Sequence, residues 1–459
     1  MELQDNFLRQ LQALLPDEWQ QLHEVISAAE PSVSVRVNAG KGVKLPLGAD
    51  RVPWCDTGFY CSERPLFTFD PDFHAGRYYV QDASSMFIHR VLRQLVDTPV
   101  RYLDLCAAPG GKTTAAIDAL PSRSLVVANE IVPSRARVLC DNVAKWGCPH
   151  TLVMNNTPAD VGRLTHFFDV IAADVPCSGE GMMRKDEEAV AQWTPALVQE
   201  CATRQRTIIA DVWSALKPGG LFIYSTCTYN REENEKMVEF IIGEYGAESV
   251  PVEIAPEWNI LSAIDTTFHA YRFMPHRTRG EGLFMAVLRK PLDQSLRNVK
   301  SKRARQERSV TLPREVAAWL KPAEDYRLAL TNDALVALPL RWEKEMAMLR
   351  DEMNVWQSGV ALATVKGKNY VPTQALALST ALNCEQFPYC EVDEATALAY
   401  LRGEAIVMDA PRGYVLVTHR QAPLGWANNL GNRANNLYPK SLRILSTHAP
   451  STLPHVLKP

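Results

Sequence analysis

The order of apolar and polar positions divides the chain into three parts, of which the first is short. Residues 7–26 carry apolar side chains at helical spacing in two groups, which Pro16 separates. Apolar and polar residues then alternate over Val33–Val37, as in a half-buried strand. A stretch rich in proline, glycine and interleaved aromatic residues follows at 53–79. These patterns predict a small α+β domain at 1–76.

A repeated order of strand, loop and helix fills the second part, at 77–291. Predicted strands lie at 100–106, 124–130, 150–156, 168–175, 221–227 and 283–289, and predicted helices include 133–146 and 231–245. Apolar strands that alternate with amphipathic helices are typical of a doubly wound, mostly parallel sheet. Ligands of such α/β folds bind beyond the carboxyl ends of the strands.

The third part begins with a basic run at 300–308 (KSKRARQER), which has five basic residues and one acidic residue. We predict a basic linker at 292–312 that is either solvated or in contact with phosphates. In the C-terminal region at 313–459, the patterns predict helices over 313–350 and a helix over 394–401. They also predict strands at 405–408 and 414–418 and a turn-rich segment at 422–440.

Composition and charge narrow the class of protein. Of the 459 residues, 46% are apolar and 22% are charged, and no apolar run approaches the roughly 20 residues of a membrane span. The first residues, MELQDNFLRQ, do not form a signal peptide, so we expect a cytoplasmic protein without membrane contact. With a net charge of -3, the chain as a whole does not attract polyanions. Local basic patches would have to bind any polyanion.

The ten cysteines are predicted to be free thiols, because the chain has no secretion signal. Three pairs of them are spaced more widely than the cysteines that close a zinc site, namely Cys55 and Cys61, Cys140 and Cys148, and Cys384 and Cys390. We therefore expect small buried side chains at these positions and no metal.

A glycine-rich loop at 104–113 (DLCAAPGGKT) follows the first strand of the predicted sheet. A phosphate-binding P-loop would need a glycine where Cys106 stands, and the dinucleotide motif GxGxxG is absent. Glu130, 19 residues past Gly111, is suited to accept hydrogen bonds from two ribose hydroxyls. S-adenosylmethionine, a ribonucleoside without a phosphate, needs this acid and this turn. The alternative is a tight strand-to-helix turn that binds no ligand.

Two cysteines each follow a predicted strand, Cys177 in the motif DVPCSGEG and Cys227 in the motif STCTY. A thiolate that adds to carbon 6 of cytosine makes carbon 5 nucleophilic enough to take a methyl group. Asp174 is placed to hydrogen-bond the cytosine amine or the protonated ring nitrogen. Lys112 would either contact the base or hold Asp174. The order of these motifs therefore predicts covalent chemistry on a pyrimidine beside a nucleotide-like cofactor.

The surroundings of the cysteines bear on their reactivity. Asn230 and Glu233 fit a capping box at the start of the predicted helix at 231–245, and a helix N-terminus favours a thiolate nearby. Cys177 stands where amino-group methyltransferases have the aromatic residue of [DN]PP[YF], which disfavours that chemistry. Spacing alone leaves open which cysteine attacks. For each cysteine taken singly, a small residue in a turn is the alternative.

The motifs DLCAAPGGKT, DVPCSGEG and STCTYNREENE together resemble those of the Nol/Nop/Sun family of RNA (cytosine-C5) methyltransferases, over about 77–290. Near the C-terminus, PLGW at 423–426 and YPK at 438–440 resemble more narrowly the bacterial RsmF-type 16S rRNA methyltransferases, whose C-terminus includes a PUA-like RNA-binding module. The resemblance implies a Rossmann-like class I methyltransferase domain at 77–291. It would lie between an α+β N-terminal RNA-binding domain and an α+β C-terminal region that includes this module.

The resemblance also implies the roles of individual residues. It assigns Cys227 as the nucleophile and Cys177 as the residue that assists product release. Asn156 departs from the family, which often has aspartate there, but its carbonyl can still accept a hydrogen bond from an adenine amine. The methyl-donor site would comprise Cys106, Ala107, Ala108, Pro109, Gly110, Gly111, Lys112, Glu130, Asn156 and Asp174.

Contacts with RNA are predicted at two further places. Arg184 and Lys185 would contact flanking phosphates or, alternatively, solvate a helix start. Four aromatic residues would stack on bases or, alternatively, belong to the core, namely Phe67, Phe69, Tyr78 and Tyr79.

We expect a monomer that uses S-adenosylmethionine to methylate carbon 5 of a cytosine in 16S rRNA of the small ribosomal subunit. The alternatives are a tRNA cytosine-C5 methyltransferase and a ribosome-assembly factor with little turnover.

Overall fold

Four β-sheets organise the part of the chain that the computed structural model describes, which comprises residues 3–28, 30–292, 314–331, 334–446, 450 and 452–457. The predicted basic run at 300–308 lies outside these residues, as does the predicted linker apart from residue 292. Among the described helices, none is both long enough and apolar enough to cross a membrane.

The first sheet has four strands, and helices lie before it and within it. Helices α1 (Asp5–Leu14) and α2 (Trp19–Ala28) precede strands β1 (Val33–Val37), β2 (Asp50–Arg51), β3 (Gly58–Cys61) and β4 (Tyr78–Val80), and α3 (Pro71–His74) lies between β3 and β4. The strand order is β2-β3-β1-β4, and all pairs are antiparallel. The predicted pair of helices, the predicted strand and the α+β class of this part are confirmed.

The second sheet is the central one. Its parallel strands run in the order β7-β6-β5-β8-β9, with β5 (Arg101–Asp104), β6 (Leu125–Asn129), β7 (Thr151–Met154), β8 (Phe168–Asp174) and β9 (Leu216–Thr226). Beyond β9 it continues with antiparallel strands β10 (Glu248–Ser249), β11 (Leu261–Ser262), β12 (Tyr271–Phe273) and β13 (Leu283–Arg289). The strand order reverses between β5 and β8, which is where α/β folds bind their ligands.

Helices cover both faces of the central sheet, namely α4 (Phe87–Leu95), α5 (Gly111–Ala119), α6 (Pro133–Trp146), α7 (Pro158–Gly162), α9 (Pro195–Val212) and α10 (Glu235–Tyr245), whereas α8 (Glu187–Gln192) packs with α1 and α2. Buried side chains of α9 and α10 pack on one face, and those of α4 and α5 pack on the other. The predicted doubly wound, mostly parallel sheet is confirmed. Predicted strand ends differ from the observed ones by at most two residues, except that β9 begins five residues earlier.

Residues 314–378 form a third sheet and add a strand to the central one. The elements are α11 (Arg314–Ala317), β14 (Tyr326–Thr331), β15 (Ala334–Pro339), α12 (Glu343–Glu352), β16 (Val355–Ser358), β17 (Val360–Lys366), β18 (Asn369–Pro372) and α13 (Gln374–Leu378). Strands β14-β15-β17-β18 form the sheet, whereas β16 pairs antiparallel with β7 at the edge of the central sheet. The prediction of helices over 313–350 is wrong for β14 and β15, because short apolar runs do not distinguish a strand from a helix.

The fourth sheet has the order β19-β20-β21-β22, with β19 (Tyr389–Glu391), α14 (Glu394–Arg402), β20 (Gly413–His419), β21 (Ala422–Asn429) and β22 (Ala434–Asn436). The predicted helix at 394–401 and strand at 414–418 are confirmed. The strand predicted at 405–408 is wrong, because Val407 is 99% exposed and the segment is not part of a strand. The turn-rich prediction at 422–440 is wrong for β21 and β22, which pair as antiparallel strands. Strand β21 also forms a hairpin with β20, whose turn residues Arg420 and Gln421 have positive φ but are not the glycine or asparagine that marks such turns.

Candidate active site

The carboxyl ends of β5, β6, β8 and β9 bring the sequence motifs to one edge of the central sheet. After β5 the chain runs through the glycine-rich loop into α5. Gly110 has a φ of 112°, which disfavours any side chain, and a Cβ there would lie 3.3 Å from a leucine methyl of α6. Helix α6 also holds the loop, since Arg135 donates to the carbonyl of Ala108 and Asn142 to that of Pro109, each at 2.8 Å. The loop therefore lies close against α6.

A buried carboxyl group lies at the start of this loop. Asp104 is 1% exposed and accepts a hydrogen bond from Oγ1 of Thr113 at 2.7 Å. Burial raises the pKa of Asp104 to about 7, although the bond from Thr113 opposes the shift. Burial also raises the pKa of Cys106, so this thiol is neutral. Ala107 and Ala108 pack into a cluster with residues of β6, β7 and α6, and the loop is apolar on that side.

Glu130 follows β6 directly and is 2% exposed. One of its carboxylate oxygens accepts the N–H of Val132 at 2.9 Å, and the other lies 3.6 Å from Nη1 of Arg135. The N–H of Ala107 donates to the carbonyl of Asn129 at 2.8 Å, which ties the glycine-rich loop to the end of β6. The loop and Glu130 are therefore neighbours at this edge of the sheet.

Asn156, two residues beyond β7, contacts a residue of the C-terminal region. Its Oδ1 accepts the N–H of Asn354 at 3.0 Å, and its Nδ2 donates to the Asn354 carbonyl at 3.4 Å. Asn155 donates its N–H to the same carbonyl at 2.9 Å and accepts from Nδ2 of Asn354 at 3.2 Å. The side-chain carbonyl that the sequence assigns to an adenine amine therefore already accepts one hydrogen bond.

Lys112 and Asp174 form an ion pair at the ends of the loop and of β8. Nζ of Lys112 lies 2.8 Å from one carboxylate oxygen of Asp174, and Oγ of Ser225 donates to the other at 2.7 Å. Burial lowers the pKa of Lys112, but the charge and hydrogen bond of Asp174 and the charge of Cys227 outweigh burial and raise it. Lys112 is thus a fixed cation near Cys227, and the ion pair fits the second of its two predicted roles, that of holding Asp174.

Cys177 and Cys227 face each other beyond the ends of β8 and β9. Their Sγ atoms are 3.1 Å apart, and the N–H of Cys227 donates to Sγ of Cys177 at 3.4 Å. The hydrogen bond with Cys227, burial, and the charges of Cys227 and Glu233 raise the pKa of Cys177. Two thiols that share a hydrogen bond lose their protons in separate steps. The pKa of Cys177 therefore lies above that of an ordinary thiol.

Sequence comparisons place this geometry in a family. A profile of the 16S rRNA methyltransferase RsmB/F matches residues 94–289, one of the N-terminal domain of 16S rRNA methyltransferase RsmF matches 3–83, and one of the methyltransferase RsmF PUA domain matches 388–444. The ribosomal RNA small subunit methyltransferase F of Aliivibrio fischeri is 30% identical over 96% of this chain and 97% of its own length. That of Erwinia tasmaniensis is 29% identical over 95% and 96%. This chain belongs to the ribosomal RNA small subunit methyltransferase F family.

Membership of the methyltransferase F family accounts for the arrangement of the sheets. The solved structure of a methyltransferase homologue from Pyrococcus horikoshii is 25% identical and superposes with a TM-score of 0.53, covering 62% of this chain and 95% of that one. The central sheet is therefore a Rossmann-like methyltransferase fold, and the fourth sheet is that of the PUA domain. The predicted family, fold class and enzyme class, an RNA methyltransferase, are confirmed.

Two fully buried carboxylates lie beneath the cysteine loops, and the sequence patterns did not predict them. Glu233 accepts hydrogen bonds from the N–H and Oγ of Ser178 at 3.0 and 2.5 Å. Glu180 accepts the N–H groups of Tyr229 and Asn230 at 2.7 and 2.9 Å. Nδ2 of Asn230 bridges the two, 2.8 Å from Glu233 and 3.0 Å from Glu180. Both glutamates stand inside the family motifs, but this residue type is usually exposed, so its burial leaves no simple signal.

The predicted capping box of Asn230 and Glu233 is wrong. Helix α10 begins two residues after Glu233, so neither residue occupies the expected helical position. Oδ1 of Asn230 accepts the N–H of Glu233 at 2.9 Å, but the Glu233 carboxylate turns to Ser178 and leaves the N–H of Asn230 to Glu180. The buried network, rather than a helix start, shapes the chain after Cys227.

Arg184 pairs inside the protein. Its side chain is 7% exposed and donates to Glu281 from Nε at 3.0 Å and from Nη2 at 2.6 Å. The predicted phosphate contact and the alternative of a solvated helix start are both wrong for Arg184, because this ion pair is buried. Lys185 also pairs with Glu281, at 3.1 Å, but its side chain keeps 29% exposure, and its contact with phosphate stays a prediction.

The four aromatic residues divide into two groups. Phe69 and Tyr78 are buried, and the Tyr78 hydroxyl donates to Asp70 at 2.9 Å, so the core interpretation is confirmed for these two. Phe67 and Tyr79 are half-buried. A Cβ at Gly111 would lie 3.4 Å from the Tyr79 ring, which therefore packs against the start of α5.

Proposed function

We propose that this chain transfers a methyl group from S-adenosylmethionine to carbon 5 of a cytosine in 16S rRNA, through a covalent bond between Cys227 and carbon 6. The observation that carries the proposal is the pair of sulfur atoms 3.1 Å apart beside the ion pair of Lys112 and Asp174. The two relatives named above are ribosomal RNA small subunit methyltransferases, which supports this RNA as the substrate. The match to the RsmF PUA domain supports RNA as the partner.

The residues around the glycine-rich loop suit S-adenosylmethionine. Glu130 would accept hydrogen bonds from the ribose hydroxyls, and Asn156 would accept one from the adenine amine with the lone pair that Asn354 leaves free. Asp174 would complete the site together with the loop residues Cys106, Ala107, Ala108, Pro109, Gly110, Gly111 and Lys112. When bound, S-adenosylmethionine supplies an electrophilic methyl group to carbon 5.

Cys227 begins the reaction on the base. Cys227 would attack as a thiolate, which is the nucleophilic form of a cysteine. The thiolate electron pair forms the bond to carbon 6, and the electrons of the double bond between carbons 5 and 6 move onto carbon 5 and the ring. Asp174, held by Lys112 and Ser225, would accept a hydrogen bond from the cytosine amine and so orient the base.

Cys177 ends the reaction. Once Cys227 is bonded to carbon 6, it no longer supplies the charge and the hydrogen bond that raise the pKa of Cys177. Cys177 can then ionise and accept the proton of the methylated carbon 5. The electron pair of that C–H bond restores the ring double bond, the bond between carbon 6 and sulfur breaks, and Cys227 leaves as a thiolate.

Bisulfite sequencing of total RNA from cells with and without the gene tests this function. We expect at least one cytosine of 16S rRNA to resist conversion only when the gene is present. Purified chain with S-adenosylmethionine should restore the resistance on small subunits or 16S rRNA from the deletion strain. A lost tRNA signal with unchanged 16S rRNA would replace this substrate by tRNA, and no change in any RNA would overturn the proposal.

A further inference from the structure

We propose that Glu233 keeps Cys177 from ionising, because hydrogen bonds to Ser178 and, through Gln205, to Pro176 hold its carboxylate beside Cys177. Glu233 is in this sense a positioning residue for the reaction. It makes two chemically identical thiols unequal before any RNA is bound. The inference rests on the proposed function, in which Cys227 is the residue that must attack.

The Glu233 carboxylate is tied to both chain neighbours of Cys177. Ser178 donates to it directly, from its N–H at 3.0 Å and its hydroxyl at 2.5 Å. Gln205 of α9 links it to the other neighbour, since its Nε2 donates both to Glu233 at 2.8 Å and to the carbonyl of Pro176 at 3.0 Å. The carboxylate therefore keeps a fixed position relative to the Cys177 loop.

The hydrogen-bond donors around Glu233 favour its ionised form. The N–H of Ser178 and the amide nitrogens of Gln205 and Asn230 can only donate, so each needs an oxygen lone pair of the carboxylate. Burial raises the pKa of Glu233, and the hydrogen bonds from Ser178 and Asn230 oppose that shift. None of its hydrogen-bond partners in the described part of the chain is a cation, so its charge is not neutralised within the network.

The charges around the sulfur pair are arranged with opposite signs. The titratable groups that interact electrostatically with one of the two cysteines are Lys112 of α5, Cys201 of α9, Tyr224 of β9, Tyr229 and Glu233, and Asp174 of β8 is paired with Lys112. Among these, the one cation, Lys112, is paired with Asp174 at 2.8 Å, whereas the charge of Glu233 acts on Cys177. A negative charge disfavours a second negative charge nearby, and a positive charge favours it. The carboxylate of Glu233 therefore disfavours a thiolate at Cys177.

Glu180 provides a matched control. It is as fully buried as Glu233 and belongs to the same network, and it also bonds to Asn230. Its main-chain partners, however, are Tyr229 and Asn230 rather than the neighbours of Cys177. Loss of the Glu180 charge should disturb the hydrogen-bond network to a similar degree, but it should not change which of the two cysteines ionises at lower pH.

Alkylation of the free, full-length protein by iodoacetamide, measured between about pH 5 and about pH 10, tests the inference, because only thiolates react. Mass spectrometry of the peptides gives a separate pH midpoint for each cysteine. We expect Cys227 to react at lower pH than Cys177 in the wild type. Glu233→Gln should lower the midpoint of Cys177 by about one pH unit, whereas Glu180→Gln should leave both midpoints in place.

A second variant, Glu233→Asp, keeps the negative charge, so Cys227 should still react at lower pH than Cys177. This variant tests the inference even if Glu233→Gln does not fold. The inference is overturned if Cys177 reacts first in the wild type, if Glu233→Asp loses the order, or if both glutamine variants shift Cys177 equally. The assay uses neither RNA nor methyl donor. Its outcome is therefore independent of the bisulfite test, which alone decides the proposed methylation of 16S rRNA.

Discussion

Asn354 and Asn156 exchange two hydrogen bonds, at 3.0 and 3.4 Å, although 198 residues separate them in the sequence. Strand β16 follows Asn354 and pairs with β7, which precedes Asn156. Asn354 lies outside the part of the chain that matches the RsmB/F profile, 94–289. The C-terminal region thus completes the edge of the methyltransferase sheet at a residue that we assign to the donor site.

The variant Asn156→Ala tests whether the contact with Asn354 and the binding of the methyl donor depend on the same side chain. The substitution removes two hydrogen bonds, each worth about 1 kcal/mol, so the free energy of unfolding should fall by about 1–3 kcal/mol. Affinity for S-adenosylhomocysteine, measured by calorimetry, should fall about tenfold because a further acceptor is lost from the site. Gln357→Ala, a substitution within β16, is the control and should leave the affinity unchanged. An unaltered affinity in Asn156→Ala would remove Asn156 from the donor site.

The two cysteines should give different phenotypes when each is replaced by alanine. Cys227→Ala should abolish methylation and the covalent protein–RNA adduct, because no thiolate is left to add to carbon 6. Cys177→Ala should leave an adduct that survives denaturing electrophoresis, because the step that expels Cys227 is lost. The opposite pattern would make Cys177 the nucleophile. Cys201→Ala, which removes a nearby thiol that has no role in the mechanism, is the control.

Much of the fold follows from the sequence because both faces of the central sheet are buried. Burial forces apolar runs on β6 and β8, and the helices between them carry amphipathic patterns that mark their bounds. The strand β16 could not be predicted in the same way. Its four residues carry no apolar run, and its place depends on a partner strand about 200 residues away.

The residues of the site also divide into those that the local sequence predicts and those that depend on distant contacts. That Gly110, Glu130 and the two cysteines lie at one edge of the central sheet could be predicted, because each follows one of its parallel strands. The burial of Glu233 could not be predicted. The sequence around it suggested a helix cap, whereas its carboxylate also accepts hydrogen bonds from Ser178 and Gln205, 55 and 28 residues away. Contacts of that kind depend on tertiary structure and leave no spacing in the sequence.

A buried ion pair behind the Cys227 loop should be sensitive to the loss of one partner. Arg272 donates to Glu235 from Nε at 2.7 Å and from Nη2 at 2.5 Å, and from Nη1 to the carbonyl of Tyr229 at 2.7 Å. Arg272→Met should lower the free energy of unfolding by about 3–5 kcal/mol, because it leaves a buried carboxylate without its cation. The double variant with Glu235→Leu should be more stable than Arg272→Met alone. Urea denaturation measures both, and a double variant that is less stable would contradict this account.

The free energy of unfolding should depend on pH through Asp104, and this dependence should be absent from the variant Asp104→Asn. Its pKa in the folded protein is about 7, against an ordinary value of 3.8, because it is buried. The folded state therefore favours the protonated carboxyl, and this contribution is complete below about pH 4 and is lost as the pH rises through about 7.

Asp104→Asn stays neutral at every pH and still has an oxygen that can accept the hydrogen bond from Thr113. In thermal melts we expect the melting temperature of the variant to exceed that of the wild type by a margin that grows between about pH 4 and about pH 7 and stays constant above about pH 7. The exposed Asp97→Asn is the control, and its melting curve should run parallel to that of the wild type. If the difference in melting temperature between Asp104→Asn and the wild type is the same at every pH, Asp104 does not titrate in this range. Contacts other than the one with Thr113 would then balance its burial.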